Sequence, residues 1–378
     1  MFAGSGNRVG IIASAQTRFR QAWADRQHVD LISEAVNATL EGSGLRIEDV
    51  DFVIDSGSDI LDGRSISNCG FLGAMGAHHK EESRVEEDGL WAALYGATKI
   101  GSGSAEVGLL LAYSKPSESD VDAFYWSQCE PFYQRPVGFG QLAASGLQAQ
   151  AYLAEHSLTD EVFSAVTAAA WANAAANPMV ETPDEVPSAE TAQASELVAA
   201  PLRRLQMSRP LDGAVAVLIA SRRVAERVSE NPVWITGIGA AMDQHSFAKR
   251  EHGSLPACEA AAQAAYAKAG GFDPRSAALA EVSASSAATQ LMVLESLGLA
   301  AAGTAPQLFS DGSDVAINPS GGSLPADPIM ATGLARLSEA TLQLTGRVDH
   351  GPEAGAAAIV HGAGGVGMQN HCVFTLEV

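Results

Sequence analysis

The residues of this chain best suited to chemistry stand around two glycine pairs. Gly321-Gly322 closes the run NPSGG at 318–322, and Gly364-Gly365 closes HGAGG at 361–365. Glycine permits positive φ and close backbone approach. Turns built this way at strand ends aim backbone N–H groups at an oxyanion or an acyl thioester carbonyl. The same runs also make tight turns that hold no ligand. His361 opens the second run; its imidazole titrates near neutrality and suits proton transfer, or it caps a turn. Asp327, in ADP at 326–328, is a weak base at its ordinary pKa of about 4 unless burial raises it. Glu86, Glu87 and Asp88, with Glu81 and Glu82 before them, form an acidic cluster ahead of a helix. The cluster reads as acid–base machinery or as a solvated cap favoured by the helix dipole.

Other groups point less sharply. His78-His79 lies in GAHHKEES, where a metal would need carboxylates converging in space, and an exposed loop is the simpler reading. Cys69, Cys129, Cys258 and Cys372 are scattered, with neither a CxxC pair nor Cys/His ligand spacing. Free thiols are therefore expected, with no disulfide framework and no metal. The stretch 122–139 concentrates Phe124, Tyr125, Trp126, Phe132, Tyr133 and Phe139, as an acyl pocket, a partner surface or an aromatic packing loop. Arg203, Arg204 and Arg209 suit phosphate recognition or ordinary surface ion pairs.

Across 378 residues, 23 lysines and arginines face 44 aspartates and glutamates, a net charge of −21. Such a chain has no general attraction for nucleic acid or for an anionic membrane face. Local arginines and helix N-termini can still bind small anions. No window approaches the roughly 18 uninterrupted apolar residues of a membrane span. The opening MFAGSGNRVG lacks the order of a secretory leader, so the expected address is cytoplasmic.

Alternating strands and helices must position these groups. Val9–Ala13 reads as a buried strand, 28–42 as a helix stopped by Gly42 and Gly44, and 49–55 as the next strand. Val233–Gly239, Leu255–Ala269 and Leu279–Val282 repeat this grammar in the second half. Helices are also expected over 89–100, 142–156, 160–176 and 328–344, and strands over 106–113, 213–220, 356–360 and 372–376. The pattern predicts an α/β fold built as a duplication: a first half over 1–228 with an inserted loop region at about 115–200, and a second half over 229–378.

Four segments in order resemble the thiolase superfamily, in its sterol-carrier-type branch: VGIIASAQTRF, PLRRLQMSRPLDGAVAVLIASR at 201–222, NPSGG followed by ATG at 331–333, and the terminal HGAGG. The resemblance runs from about Val9 to Val378. It implies a five-layered α-β-α-β-α fold of two pseudo-equivalent halves, usually dimeric, that handles coenzyme A thioesters as ligands without a covalently bound cofactor.

The resemblance also shows what is replaced. The family's nucleophilic cysteine falls at Glu86, or at Asp88 if the alignment slips by two. A histidine that helps to build an oxyanion hole falls at Ser283. The histidine that activates the cysteine falls at Asp327, and the cysteine that shuttles the substrate α-proton falls at His361. A carboxylate cannot act as the acyl-forming thiol. The expected function is an acyl-CoA-handling subunit lacking the nucleophile. It would pair as a homodimer, with a second thiolase-like chain, or with a small zinc-ribbon OB-fold protein. The alternatives are retro-aldol cleavage of a β-hydroxyacyl-CoA with His361 or Asp327 as base, or an acyltransferase whose cysteine lies elsewhere.

Overall fold

The computed structural model describes residues 8–352 and 356–378. Residues 1–7, on which the expectation about a secretory leader rests, lie outside the described residues. The first half runs β1 (Val9–Gln16), α1 (His28–Ser43), β2 (Phe52–Ser56), β3 (Glu81–Val85), α2 (Gly89–Gly101) and β4 (Val107–Ser114). An insertion then carries α3 (Val121–Ser127), α4 (Gln141–His156), α5 (Glu161–Ala176), α6 (Ala189–Ala194) and a ribbon of β5 (Leu197–Ala199) and β6 (Leu202–Arg203). β7 (Gly213–Ser221) and α7 (Arg222–Val228) follow. The second half runs β8 (Val233–Met242), α8 (Pro256–Lys268), β9 (Leu279–Val282), α9 (Ala287–Ser296), α10 (Gln307–Ser310), β10 (Ala316–Ile317), α11 (Thr332–Leu344), β11 (Ala357–Gly364) and β12 (Asn370–Glu377).

The strand order is β10-β9-β11-β12-β8-β1-β7-β4-β2-β3. Read outward from the middle, both halves are built alike. The first strand pairs antiparallel with the last, the last antiparallel with the fourth, and the fourth parallel with the second. The third strand lies parallel at the edge. This is the signature of a duplicated unit. The halves join where Val9–Ile11 of β1 pairs with Val233–Ile235 of β8.

Helix α1 shows why the local sequence folds as it does. Leu31, Ile32, Ala35, Val36 and Thr39 recur at helical spacing and bury one face, and Gly44 at φ 69° ends it. Helices α2 and α11 pack on each other and on strands of both halves, with α1 and α7 packed on the first half's strands and α8 on the second half's. This is the α-β-α-β-α layering of the thiolase fold. The central position explains why α11 is buried all round: all of its 13 residues except Leu342 are buried. Its Arg336 is buried and pairs with Glu281 of β9 at 2.8 Å, while Gln343 donates to the same carboxylate at 2.8 Å. A buried guanidinium needs such partners, because desolvating it alone costs several kcal/mol, on the order of what a small domain's stability amounts to.

Two details depart from the sequence reading. Glu81 and Glu82 belong to edge strand β3, where Glu81 accepts from Lys99 at 2.6 Å and Glu82 from Asn68 at 2.9 Å. A polar edge strand has no apolar run to reveal it. Helix α11 starts at Thr332, because residues 328–331 form a turn with Met330 at φ 69°.

Candidate active site

A cavity of about 390 Å³ opens where the two halves and the insertion meet. Its wall takes Glu86, Glu87 and Asp88 from the end of β3, Ser283–Ser285 from the end of β9, and Asp327, Ile329 and Met330 from the turn before α11. Ala363–Gly365 and Met368–Asn370 come from the β11–β12 hairpin, and Phe124, Tyr125, Gln128 and Gln141 from the insertion. Strand ends and helix starts therefore supply its chemistry, as in open α/β sheets generally.

Asp88 caps α2. Its carboxyl accepts the Leu90 N–H at 3.0 Å and the Gly333 N–H at the start of α11 at 2.8 Å. Complete burial pushes its pKa up to about 7, against the pull of those two hydrogen bonds; the charges of Glu87 and Asp327 add to the rise. Burial likewise raises Glu87, whose carboxylate accepts from the Asn370 side chain. Asp327 is raised by burial although Thr332 Oγ1 donates to it at 2.6 Å. Tyr125 faces it, its phenol held protonated by burial and then by the Asp327 charge. Three carboxyl groups with raised pKa thus share one cavity.

Ser283 is 4% exposed, and its Oγ has no hydrogen-bond partner. It is a free donor on the cavity wall, held in place as its N–H donates to the His361 carbonyl at 3.1 Å. Glu86 sits at the rim, exposed, and accepts the Asp59 N–H at 2.6 Å. Glu87 and Asp88 directly precede α2, with Asp88 as its N-cap and Glu86 one residue further out.

The glycine pairs divide. Gly364 and Gly365 line the cavity, but only Gly365 has a positive φ, 74°. Gly364 matters for space: a Cβ there would run into the Glu87 carboxylate. Gly321 and Gly322 do have positive φ, yet they lie off the cavity wall. Their N–H groups go to the Asn318 carbonyl at 2.8 Å and to Ser320 Oγ at 3.3 Å, which corrects the expectation that they point at an oxyanion. Their loop instead braces β9: Asn318 Oδ1 accepts the Val282 N–H at 2.6 Å and Ser320 bonds Glu281 at 2.7 Å.

His361 needs the largest correction. It lies inside β11 rather than in the turn, fully buried behind the cavity wall. Its Nε2 meets His371 Nδ1 at 3.0 Å, and burial holds it neutral, well below the usual imidazole range. It is not among the residues that line the cavity. Asn370 went unnoticed in the sequence; only the strand register, which sets it opposite Gly364, brings it to Glu87. Tyr125 was visible only as one aromatic among six. No cysteine lines the cavity: Cys69 is exposed, and Cys129, Cys258 and Cys372 are buried elsewhere.

A second cavity of about 650 Å³ adjoins the first and shares Tyr125, Gln141 and Asp327 with it. Trp171, Leu142 and Met207 line it together with Arg204 and Arg209. Arg209 stacks over the Trp171 ring at 5.0 Å and donates to the Pro325 carbonyl at 3.0 Å. Arg203 is not on this wall; it donates to the Ser195 carbonyl at 3.0 Å. Among the described residues no helix is long and apolar enough to cross a membrane.

Comparison with known proteins agrees with this architecture. Residues 239–377 match the thiolase C-terminal domain-like family. An acetyl-CoA acetyltransferase of Methanothermobacter thermautotrophicus is 27% identical over 378 residues, covering 95% of this chain and 97% of that protein. The 17-hydroxy-3-oxo-4-pregnene-20-carboxyl-CoA lyase of Mycobacterium tuberculosis is 26% identical over 368 residues, covering 90% and 92%. The solved Ltp2-ChsH2(DUF35) aldolase superposes with a TM-score of 0.84 at 22% identity, covering 100% of this chain and 99% of that one. The duplicated topology, the cavity between the halves and these likenesses together give the chain a thiolase fold, whose residues 239–377 match the thiolase C-terminal domain-like family.

Proposed function

We propose that the chain is a carbon–carbon lyase that cleaves a β-hydroxyacyl-CoA by a retro-aldol reaction. The observation that carries this reading is the presence of Glu87, Asp88 and Asp327, all with raised pKa, around a cavity that holds no thiol. An acyl-enzyme route needs a nucleophile. Retro-aldol cleavage needs a base for the hydroxyl, a donor for the enolate oxygen and an acid for the carbanion.

In this reading Glu87, oriented by Asn370, takes the β-hydroxyl proton. The Cα–Cβ pair moves toward the thioester, Cβ becomes a ketone or aldehyde carbonyl, and the enolate oxygen meets the free Ser283 hydroxyl. Asp327 with Tyr125 returns a proton to Cα, giving the shortened acyl-CoA. No oxidant or reductant enters the balance. The second cavity takes the pantetheine arm, with Arg204 and Arg209 placed for the phosphates. Apolar Ile60, Phe124, Ile329 and Met330 suit a bulky apolar β-substituent. The curated lyase and the aldolase among the similar proteins support the same chemistry.

A second reading, a subunit working in a complex, is favoured by the surface of the insertion. Phe132, Tyr133 and Val137 are 80%, 82% and 78% exposed beside the residues that line the cavity. The solved aldolase is itself a pairing of Ltp2 with ChsH2 (DUF35). The two readings are compatible, with an OB-fold partner or a second thiolase-like chain covering this surface.

The test is an assay of the chain alone, and with whatever co-purifies from its host, on β-hydroxyacyl-CoA esters with bulky apolar β-substituents. Release of a carbonyl product, unaffected by iodoacetamide, is expected. Thioester condensation or thiolysis abolished by iodoacetamide would overturn the reading. Inertness of both chain and complex, with Glu87→Gln as inert as wild type, would reduce it to a structural subunit.

A further inference from the structure

Behind the cavity wall lies a second cluster that the proposed chemistry leaves unused. Cys258 at the start of α8, His361 of β11 and His371 of β12 are fully buried, and one donor atom from each lies within 4.8 Å of the other two. Sequence spacing could not reveal it, because Cys258 stands more than a hundred residues before His361 and the spacing follows no ligand motif.

Two features mark this cluster as more than core packing. First, the two imidazoles stack at 5.3 Å and share one hydrogen bond between His361 Nε2 and His371 Nδ1, and beyond it the rings make only loose contacts with the backbone, His361 with Ser283 and His371 with Met368. Second, the donor types are those of a soft metal site: one sulfur and two imidazoles, all three buried. Both imidazoles are held neutral by burial, as ligands must be; His371 is lowered to about 4.

We infer that Cys258, His361 and His371 form a binding site for a soft d¹⁰ metal ion, and that Cu(I) suits it better than Zn(II). The choice follows from charge and number. One thiolate and two neutral imidazoles around Cu(I) sum to zero, whereas Zn(II) leaves a positive charge in a dry interior. The guanidinium of Arg250 acts on His371 and opposes further positive charge. Three donors satisfy Cu(I), while structural Zn(II) takes four. Burial raises the Cys258 thiol pKa, and Ser296 offers a hydrogen bond that favours the thiolate. On binding, the thiol loses its proton to solvent as the metal–sulfur bond forms, with no change of oxidation state. The ion would tie α8 to β11 and β12, next to Asn370 and behind Ser283, whose N–H rests on the His361 carbonyl.

The test loads the full chain during refolding, so that burial cannot hide the site. Reduced, denatured protein is refolded with Cu(I) held by a bicinchoninate buffer, or with Zn²⁺, then desalted and analysed for metal. X-ray absorption at the metal edge reads the ligands. About one copper per chain is expected, with sulfur and imidazole scattering. It should be lost in Cys258→Ser and His361→Asn and kept in Cys129→Ser and in Glu87→Gln. If Cys258→Ser fails to fold, the sulfur scattering of the wild type decides the same point. Folded wild type that retains neither metal, or retains it without sulfur ligation, overturns the site. Uptake of Zn²⁺ alone with sulfur ligation keeps the site and overturns the choice of ion.

Discussion

The Glu87 carboxylate and the Asn370 side-chain amide are hydrogen-bonded, which joins the end of an edge strand in the first half to the first residue of the last strand in the second. The proposed base is therefore oriented by the other repeat. Glu87→Gln should lower kcat by roughly 10²–10⁴-fold with little change in KM. Asn370→Ala should lower kcat less and also move the pH profile, since removing the hydrogen bond raises the Glu87 pKa further. Steady-state kinetics of both variants across pH check this.

The rate should depend on pH through this carboxyl group and its neighbour. The base must be ionised, and Asp88 beside it titrates at about 7 while Glu87 is raised above its ordinary value. Activity should fall as pH drops below about 7, with an apparent pKa belonging to the coupled pair. Asp88→Asn removes a like charge from Glu87, so the acid limb should move to lower pH. An acid limb unchanged in this variant would show that the pair does not govern the profile.

Stability should carry the opposite dependence. A carboxyl group whose pKa rises on folding binds more protons in the native state than in the unfolded chain. Stability is then highest below the unfolded pKa of about 4 and declines as pH rises through the folded value of about 7. The loss for Asp88 amounts to a few kcal/mol between those limits. Asp55, pushed up to about 8 by burial despite Arg84 nearby, contributes a parallel decline. Urea denaturation from pH 4 to 8 should show the slope, and Asp88→Asn should flatten part of it.

Ser283→Ala separates catalysis from folding. The hydroxyl has no partner to lose, so stability should change by less than about 1 kcal/mol. If it meets the enolate oxygen, kcat should fall by roughly 10²-fold, as for loss of one oxyanion donor. Wild-type turnover with an unchanged melting temperature would remove Ser283 from the mechanism.

Gly364→Ala tests the close approach of backbone and carboxylate. The added methyl would collide with Glu87. Displacement of that side chain should cost activity to the same degree as Glu87→Gln, with α/β secondary structure intact by circular dichroism. Gly44→Ala, at a helix end with open space around it, should leave activity untouched and cost about 1 kcal/mol of stability through its φ of 69°.

Much of the fold was legible because apolar strands such as GAVAVLIA at 213–220 and glycine-stopped helices such as 28–43 state their burial locally. The edge strands β3 and β10 were not, because one is polar and the other two residues long, and pairing alone defines them. At the site, the family resemblance singled out Asp327, Ser283 and the acidic run before α2, and the structure sets them around one cavity. His361 misled because the residue type suits catalysis while its burial and its contact with His371, a tertiary fact, decide against it. Asn370 was invisible for the converse reason: nothing in an isolated Asn foretells which residue a strand register will set beside it.

The seam between the halves is only three residue pairs wide, Val9–Ile11 against Val233–Ile235. A junction so narrow makes the sheet a joint rather than a beam, and the load of holding the repeats together passes to α2 and α11. Asp88 reaches across that joint, since it caps α2 while accepting the first-turn Gly333 N–H of α11. Prying the repeats apart would thus disconnect the cavity's carboxyl groups before either repeat lost its own sheet, so activity should report on the joint well before spectroscopy reports on the strands.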